Sequence, residues 1–208
     1  MKVKICGVRS YEDARAALDA GAWALGFIFH RPAKRYIEPE AAARIVKRLP
    51  RDALPVGVFV DYPLDELNEV VDTVGLRGAQ LHGDEDPPYA DKVKAEVVIK
   101  ALRVGPDFDP GRVRDFPGQR ILLDTFHPQA PGGTGRTFDW SLARRVGELT
   151  PVIVAGGIHP DNVVDSLRQA QPDAIDVSTG VEKAPGVKDP AKILRLFEAI
   201  REYENSEE

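Results

Sequence analysis

Residues 151–182 read PVIVAGGIHPDNVVDSLRQAQPDAIDVSTGVE, two strand-and-turn units placed back to back. Val152-Ile153-Val154-Ala155 is an apolar run of strand length that ends on Gly156-Gly157. His159-Pro160-Asp161-Asn162 then opens a helical pattern, with Pro160 suited to a first turn that does not need its missing N–H. Ala174-Ile175-Asp176-Val177 forms a second strand and runs into Ser178-Thr179-Gly180-Val181-Glu182. Small residues at both strand ends leave backbone N–H groups open. Gly156, Gly157, Ser178, Thr179 and Gly180 therefore form a candidate phosphate cradle, because a basket of amide donors suits a dianion. Either turn alone reads equally well as a tight turn made by glycine. The pair, in successive units, points to phosphate.

The same alternation extends back to the start of the chain. Apolar runs at 2–6, 23–29, 54–60, 78–81, 97–104 and 120–124 read as six further strands. Helical patterns separate them. Ser10 with Asp13 caps the first, Pro39 and Pro63 open the next two, and a polar helix is expected over 87–94. Residues 105–118 hold at most one weak helix, Asp139 starts another, and Pro190 begins the last. That last helix turns Ile193, Leu194, Phe197 and Ile200 inward, with a frayed polar tail beyond Tyr203. Eight strands alternating with helices argue for the α/β class and a single (β/α)8 TIM barrel over residues 1–208. In such a barrel a phosphate site follows strands seven and eight. An open doubly wound sheet is the alternative, but Cys6-Gly7-Val8-Arg9 lacks the glycine spacing of a dinucleotide fingerprint. The long irregular stretch 125–137, with Gly132, Gly133 and Gly135, reads as a lid or binding loop.

Bulk composition narrows the partners. A net charge of −5, with both signs dispersed, leaves no footprint for nucleic acid or an anionic membrane. No run has the length of a membrane span, and the first residues lack the apolar core of a signal peptide. One cysteine cannot form an internal disulfide, so a cytoplasmic setting is expected. Whether the protein is a monomer or a homodimer leaves no mark on the pattern.

In a barrel, C-terminal strand ends face the active site. Those ends carry Cys6, the cationic loop through Arg35, Asp61, His82, Arg103 and Asp124. Cys6 is either a small packed hydrophobe or a thiolate base favoured by nearby cations. Asp124 closes Ile121-Leu122-Leu123 and is either a structural ion-pair partner or a general acid. Arg35 is either a solvated loop charge or a fork for a substrate carboxylate. His82 has no second His or Cys at ligand spacing, so no metal site is expected. Asp61 and Arg103 add polarity without an assigned role.

Several segments stand along the chain in a set order: Lys4-Ile5-Cys6-Gly7, Leu25-Gly26-Phe27-Ile28-Phe29, Arg35-Tyr36, Val56-Gly57-Val58-Phe59-Val60 and Gln80-Leu81-His82-Gly83. Leu123-Asp124-Thr125, Gly132-Gly133-Thr134-Gly135, Phe138-Asp139-Trp140, Ala155-Gly156-Gly157 and Asp176 to Glu182 with Pro185-Gly186 follow. In this order and spacing they resemble the phosphoribosylanthranilate isomerases of tryptophan biosynthesis. Thr179 stands where a second serine is common, and Ala174 near a frequent glycine.

The resemblance implies a cofactor-free Amadori rearrangement of N-(5′-phosphoribosyl)anthranilate to the 1-deoxyribulose 5-phosphate aminoketose. It implies Asp124 as general acid, Cys6 as general base and Arg35 on the anthranilate carboxylate. His82, Gly132 and Gly133 would also bind substrate, and residues 156–157 and 178–180 would hold its phosphate. Among other phosphosugar barrels, an indole-glycerol-phosphate synthase would call for lysine and glutamate at strand ends, whereas Lys100 lies inside strand five and Glu182 past strand eight. A pentose-phosphate epimerase would need paired aspartates with histidine metal ligands. A non-catalytic phosphosugar-binding barrel is the alternative of a different class.

Overall fold

The structure is a computed structural model that describes residues 1–125 and 139–207. The expectations for Gly132, Gly133 and the lid lie outside the described residues. Eight parallel strands close into a barrel in sequence order: β1 (Lys2–Cys6), β2 (Ala24–Ile28), β3 (Pro55–Phe59), β4 (Gly78–Leu81), β5 (Val97–Val104), β6 (Arg120–Thr125), β7 (Val152–Val154) and β8 (Ala174–Val177). The closing pair is β1 with β8, in a register that sets Lys4 opposite Asp176.

The helices are α1 (Tyr11–Ala20), α2 (Pro39–Val46), α3 (Leu64–Val74), α4 (Pro87–Ala90), α5 (Ser141–Gly147), α6 (Val163–Ala170) and α7 (Pro190–Glu207). Ser10 caps α1 by accepting the Asp13 N–H at 3.1 Å, and Pro39 occupies the first turn of α2. Three helices depart from expectation. α4 is one turn rather than 87–94, because Asp91 and Lys92 close it and Asn68 takes over the next backbone groups, bonding Lys92 O and the Lys94 N–H. α6 starts at Val163, since the Asn162 side chain accepts the His159 N–H and holds Pro160 and Asp161 in a turn. α7 is helical past Tyr203, where Glu204 pairs with the Met1 ammonium; it buries Leu196 and leaves Leu194 exposed. Residues 105–118 hold a single 3-10 stretch, Pro110–Asp115.

Two apolar layers follow from strand alternation. Phe27, Phe59, Leu81, Ile121 and Leu123 face the helices. Ala24, Val56, Ile99, Ala101, Leu122, Ile153 and Ala174 fill the interior and form a floor below the polar strand ends. Between Ile99 and Ala101, Lys100 points outward into the helix layer, where it is 3 % exposed and meets Glu85 at 2.7 Å and Gly83 O at 2.8 Å. Glu85 also accepts the N–H groups of Asp61 and Gly83. One buried ion pair thereby straps the ends of β3 and β4 to the middle of β5, and it keeps Lys100 out of the barrel interior.

Removing one partner strands a buried charge, which typically costs about 3–5 kcal/mol. Glu85→Ala should therefore lower urea stability by that order. A loss of less than about 0.5 kcal/mol, the usual scale of a surface change, would show that the strap does not hold these strand ends.

Candidate active site

The C-terminal strand ends surround a cavity of about 120 Å³ lined by Cys6, Arg35, His82, Asp124, Gly156, Gly157, Asp176, Ser178 and Thr179, among others. Asp124 ends the apolar run of β6, is 6 % exposed, and accepts the Thr125 N–H on Oδ1 at 2.8 Å. Its Oδ2 lies 3.3 Å from His82 Nε2, without the alignment of a hydrogen bond. Gln80 Nε2 stands 2.8 Å from His82 Nδ1. Gly156 leaves room for the Asp124 carboxylate: its φ is +89°, and a Cβ there would fall 2.3 Å from Thr125 Oγ1 and 3.0 Å from Asp124 Oδ1.

The β7 and β8 turns meet as the spacing predicts. Gly156, Gly157, Ser178 and Thr179 share one wall, and the buried Ser178 Oγ has no hydrogen-bond partner among the described residues. Gly180 stands behind them on the 3-10 turn Thr179–Val181, against the Ile158 carbonyl. Arg35 reaches the cavity from the β2–α2 loop, but Nε and Nη2 each donate to Glu182 at 2.7 Å. Its remaining edge is what a ligand carboxylate could take. Asp61 and Arg103 lie apart from this wall: Asp61 Oδ1 accepts the Asp84 N–H, and Arg103 donates to His82 O at 3.3 Å.

The family model for N-(5′-phosphoribosyl)anthranilate (PRA) isomerase matches residues 3–199. The chain belongs to that family. It is 46 % identical over 196 residues to the N-(5′-phosphoribosyl)anthranilate isomerase of Citrifermentans bemidjiense, covering 94 % of this chain and 95 % of the other. The crystal structure of the phosphoribosyl anthranilate isomerase from Thermotoga maritima matches with a TM-score of 0.90 at 38 % identity, over 97 % of this chain and 99 % of that one. A solved phosphoribosyl anthranilate isomerase in complex with reduced 1-(o-carboxyphenylamino)-1-deoxyribulose 5-phosphate matches with a TM-score of 0.87 at 36 % identity, over the same shares.

Two charged groups around this PRA isomerase cavity escaped the reading of strand ends. Glu182 begins β9 (Glu182–Ala184), which pairs with β10 (Val187–Lys188), and Lys188 Nζ lies 3.0 Å from the Glu182 carboxylate. Lys188 Nζ also donates to Cys6 O at 2.5 Å and Ser178 O at 3.1 Å, so it ties β1 to β8 above the closing seam. Burial pulls the Lys188 ammonium below its usual range, against the opposing pull of Glu182. Lower in the barrel, Lys4 is fully buried and meets Asp176 Oδ2 at 2.9 Å, while Asp176 Oδ1, on the cavity wall, is buried without a hydrogen-bond partner among the described residues. A signal for that pair was present: a charge inside each of two apolar runs, Val3-Lys4-Ile5 and Ile175-Asp176-Val177. Lys188 carries no comparable sequence signal, because only the hairpin brings it inward.

Burial opposes ionisation of Glu182, but hydrogen bonds from Arg35 and the charge of Lys188 outweigh it and hold its carboxyl below the ordinary 4.5. A carboxyl lowered in the fold adds stability that is full above its unfolded pKa and is lost as pH falls through the folded value. The urea midpoint of the wild type should therefore exceed that of Glu182→Gln at pH 7, and the gap should close on acidification below about 4. A gap independent of pH would mean that this carboxylate contributes nothing through its charge.

Proposed function

We propose that the chain catalyses the isomerisation of N-(5′-phosphoribosyl)anthranilate, with Asp124 as general acid and Cys6 as general base. The observation that carries this reading is the convergence, on one cavity, of a thiol, a carboxyl group, the edge of an arginine fork and the Gly156-Gly157/Ser178-Thr179 wall. The wall takes the 5′-phosphate through backbone N–H groups and the Ser178 hydroxyl. Arg35, clamped by Glu182, meets the anthranilate carboxylate, and His82 faces the sugar beside Asp124.

Asp124 gives its proton to the furanose ring oxygen. The C1′–O bond breaks onto that oxygen while the anthranilate nitrogen lone pair forms the C1′=N bond of an iminium. Cys6 thiolate then takes the C2′ proton. The C–H electrons become the C1′=C2′ bond, and the iminium electron pair returns to nitrogen. The resulting enolamine loses its C2′ hydroxyl proton and gains one at C1′, which yields the aminoketose. The iminium is the electron sink of this sequence. A small-molecule phosphosugar-anthranilate is thus the partner of the site. The lone free cysteine fits a reducing, cytoplasmic setting. No helix among the described residues is long and apolar enough to cross a membrane.

Turnover of freshly generated substrate, followed by loss of anthranilate-adduct fluorescence, tests the reading. Cys6→Ser and Asp124→Asn should each lower kcat/KM by about 10²–10⁴-fold, the range of a general acid or base. Affinity for the reduced product analogue should stay within roughly an order of magnitude, as its carboxylate and phosphate contacts are untouched. Wild-type rates in both variants would refute the acid–base assignment.

A further inference from the structure

The Cys6 thiol is surrounded by more charge than a packed hydrophobe needs. Lys4 and Cys6 are two residues apart on β1 and therefore point to the same interior side. Their neighbour on β2 is Gly26, opposite Cys6 in the register. A Cβ at Gly26 would fall 2.7 Å from Cys6 Sγ and 3.0 Å from Lys4 Nζ, so ammonium and sulfur converge on the space that this glycine leaves free. From β8, Asp176 holds the same ammonium at 2.9 Å.

We propose that Lys4 and Asp176 together position and charge-tune the Cys6 thiol, with Lys4 as counter-ion to its thiolate and Asp176 as the anchor that fixes Lys4 and limits its effect. The proposal rests on the reading of Cys6 as the base. The groups facing the sulfur can be assigned element by element. β2 supplies only Gly26. β8 supplies Asp176, the turn after it Ser178, and β10 supplies Lys188, bound to the Cys6 carbonyl. The β2–α2 loop supplies Arg35, which Glu182 covers, and His82 and Asp124 line the far side of the cavity.

Burial pushes the thiol up, Asp176 pushes it further, and Lys4 and Lys188 pull it down. Burial also acts against the Lys4 ammonium, but Asp176 and Cys6 outweigh it and hold it above its usual range, so Lys4 remains a cation. The two members of the pair therefore act on sulfur in opposite senses.

Cys6 is the chain's single cysteine, so alkylation by uncharged iodoacetamide reads its ionisation directly. Rate against pH should give a midpoint raised by about one pH unit or more in Lys4→Met and lowered by a similar amount in Asp176→Asn, the scale of a charge removed at close range. Midpoints that move together, or not at all, overturn the proposal. If Lys4→Met does not fold, Asp176→Asn decides alone, and an unchanged or raised midpoint overturns it. The kcat/KM profile separates the two readings. An acid limb that follows the alkylation midpoints supports both, whereas alkylation midpoints that shift while the turnover limb stays fixed would remove Cys6 as the base and leave the charge pair standing.

Discussion

The seam between β8 and β1 is the constraint on which the site depends. Closure sets Lys4 beside Asp176, and the ion pair they form sits above an apolar floor. Because side chains alternate, a slip of either strand by one residue would turn its charge out of the barrel, put an outward-facing apolar residue in its place and leave the other charge unpaired. The pair is therefore a register lock as well as an interaction. Cys6 ends β1 and Ser178 stands just past the end of β8, and Lys188 bonds both carbonyls. The candidate base and one side of the candidate phosphate wall thus flank a single strand pairing.

Three buried charge groups do different work around this barrel. Lys100 and Glu85 fasten the ends of β3 and β4 to the middle of β5 from outside. Arg35, Glu182 and Lys188 fasten the β2–α2 loop to the hairpin beyond β8. Lys4 and Asp176 close the interior. Apolar residues of matching volume often give equal or greater stability than a buried ion pair. What charge adds is direction: Lys100 and Lys188 are each held by more than one acceptor and Arg35 by both oxygens of Glu182, so a loop or strand end has one arrangement rather than several. Arg35 shows the consequence. With two nitrogens committed to Glu182, it can present only a defined remaining edge to a ligand.

Local chemistry was legible in the sequence, and non-local pairing was not. The strands could be read from apolar runs because each lies between two layers, and Ser10 with Asp13 declared the start of α1 within four residues. Cys6, His82 and Asp124 were found because strand ends of a parallel barrel share one face, which needs no tertiary detail. Lys188 was missed because it is charged, short-range polar in context, and brought inward only by the β9–β10 hairpin. Leu194 was misplaced because helical spacing admits it to the inner face, whereas the packing of α7 selects Leu196. The ends of α4 and α6 were shifted by Asn68 and Asn162, whose side chains satisfy backbone groups that a longer helix would have used.

The environment of Cys6 bears on a tension in the proposal that a thiol removes a carbon-bound proton. A base needs strength as well as population, and the two move in opposite directions as its pKa changes. Burial and Asp176 raise the proton affinity of the sulfur, which makes the thiolate a stronger base but a rarer one. Lys4 and Lys188 restore part of its population without adding a hydrogen-bonding solvent shell that would blunt it. An iminium substrate would supply a further positive charge at the moment of proton transfer and only then, favouring the thiolate when its work begins. A buried cation fixed by a carboxylate is suited to this division, because it stabilises the charged sulfur in the resting site without occupying the space in front of it.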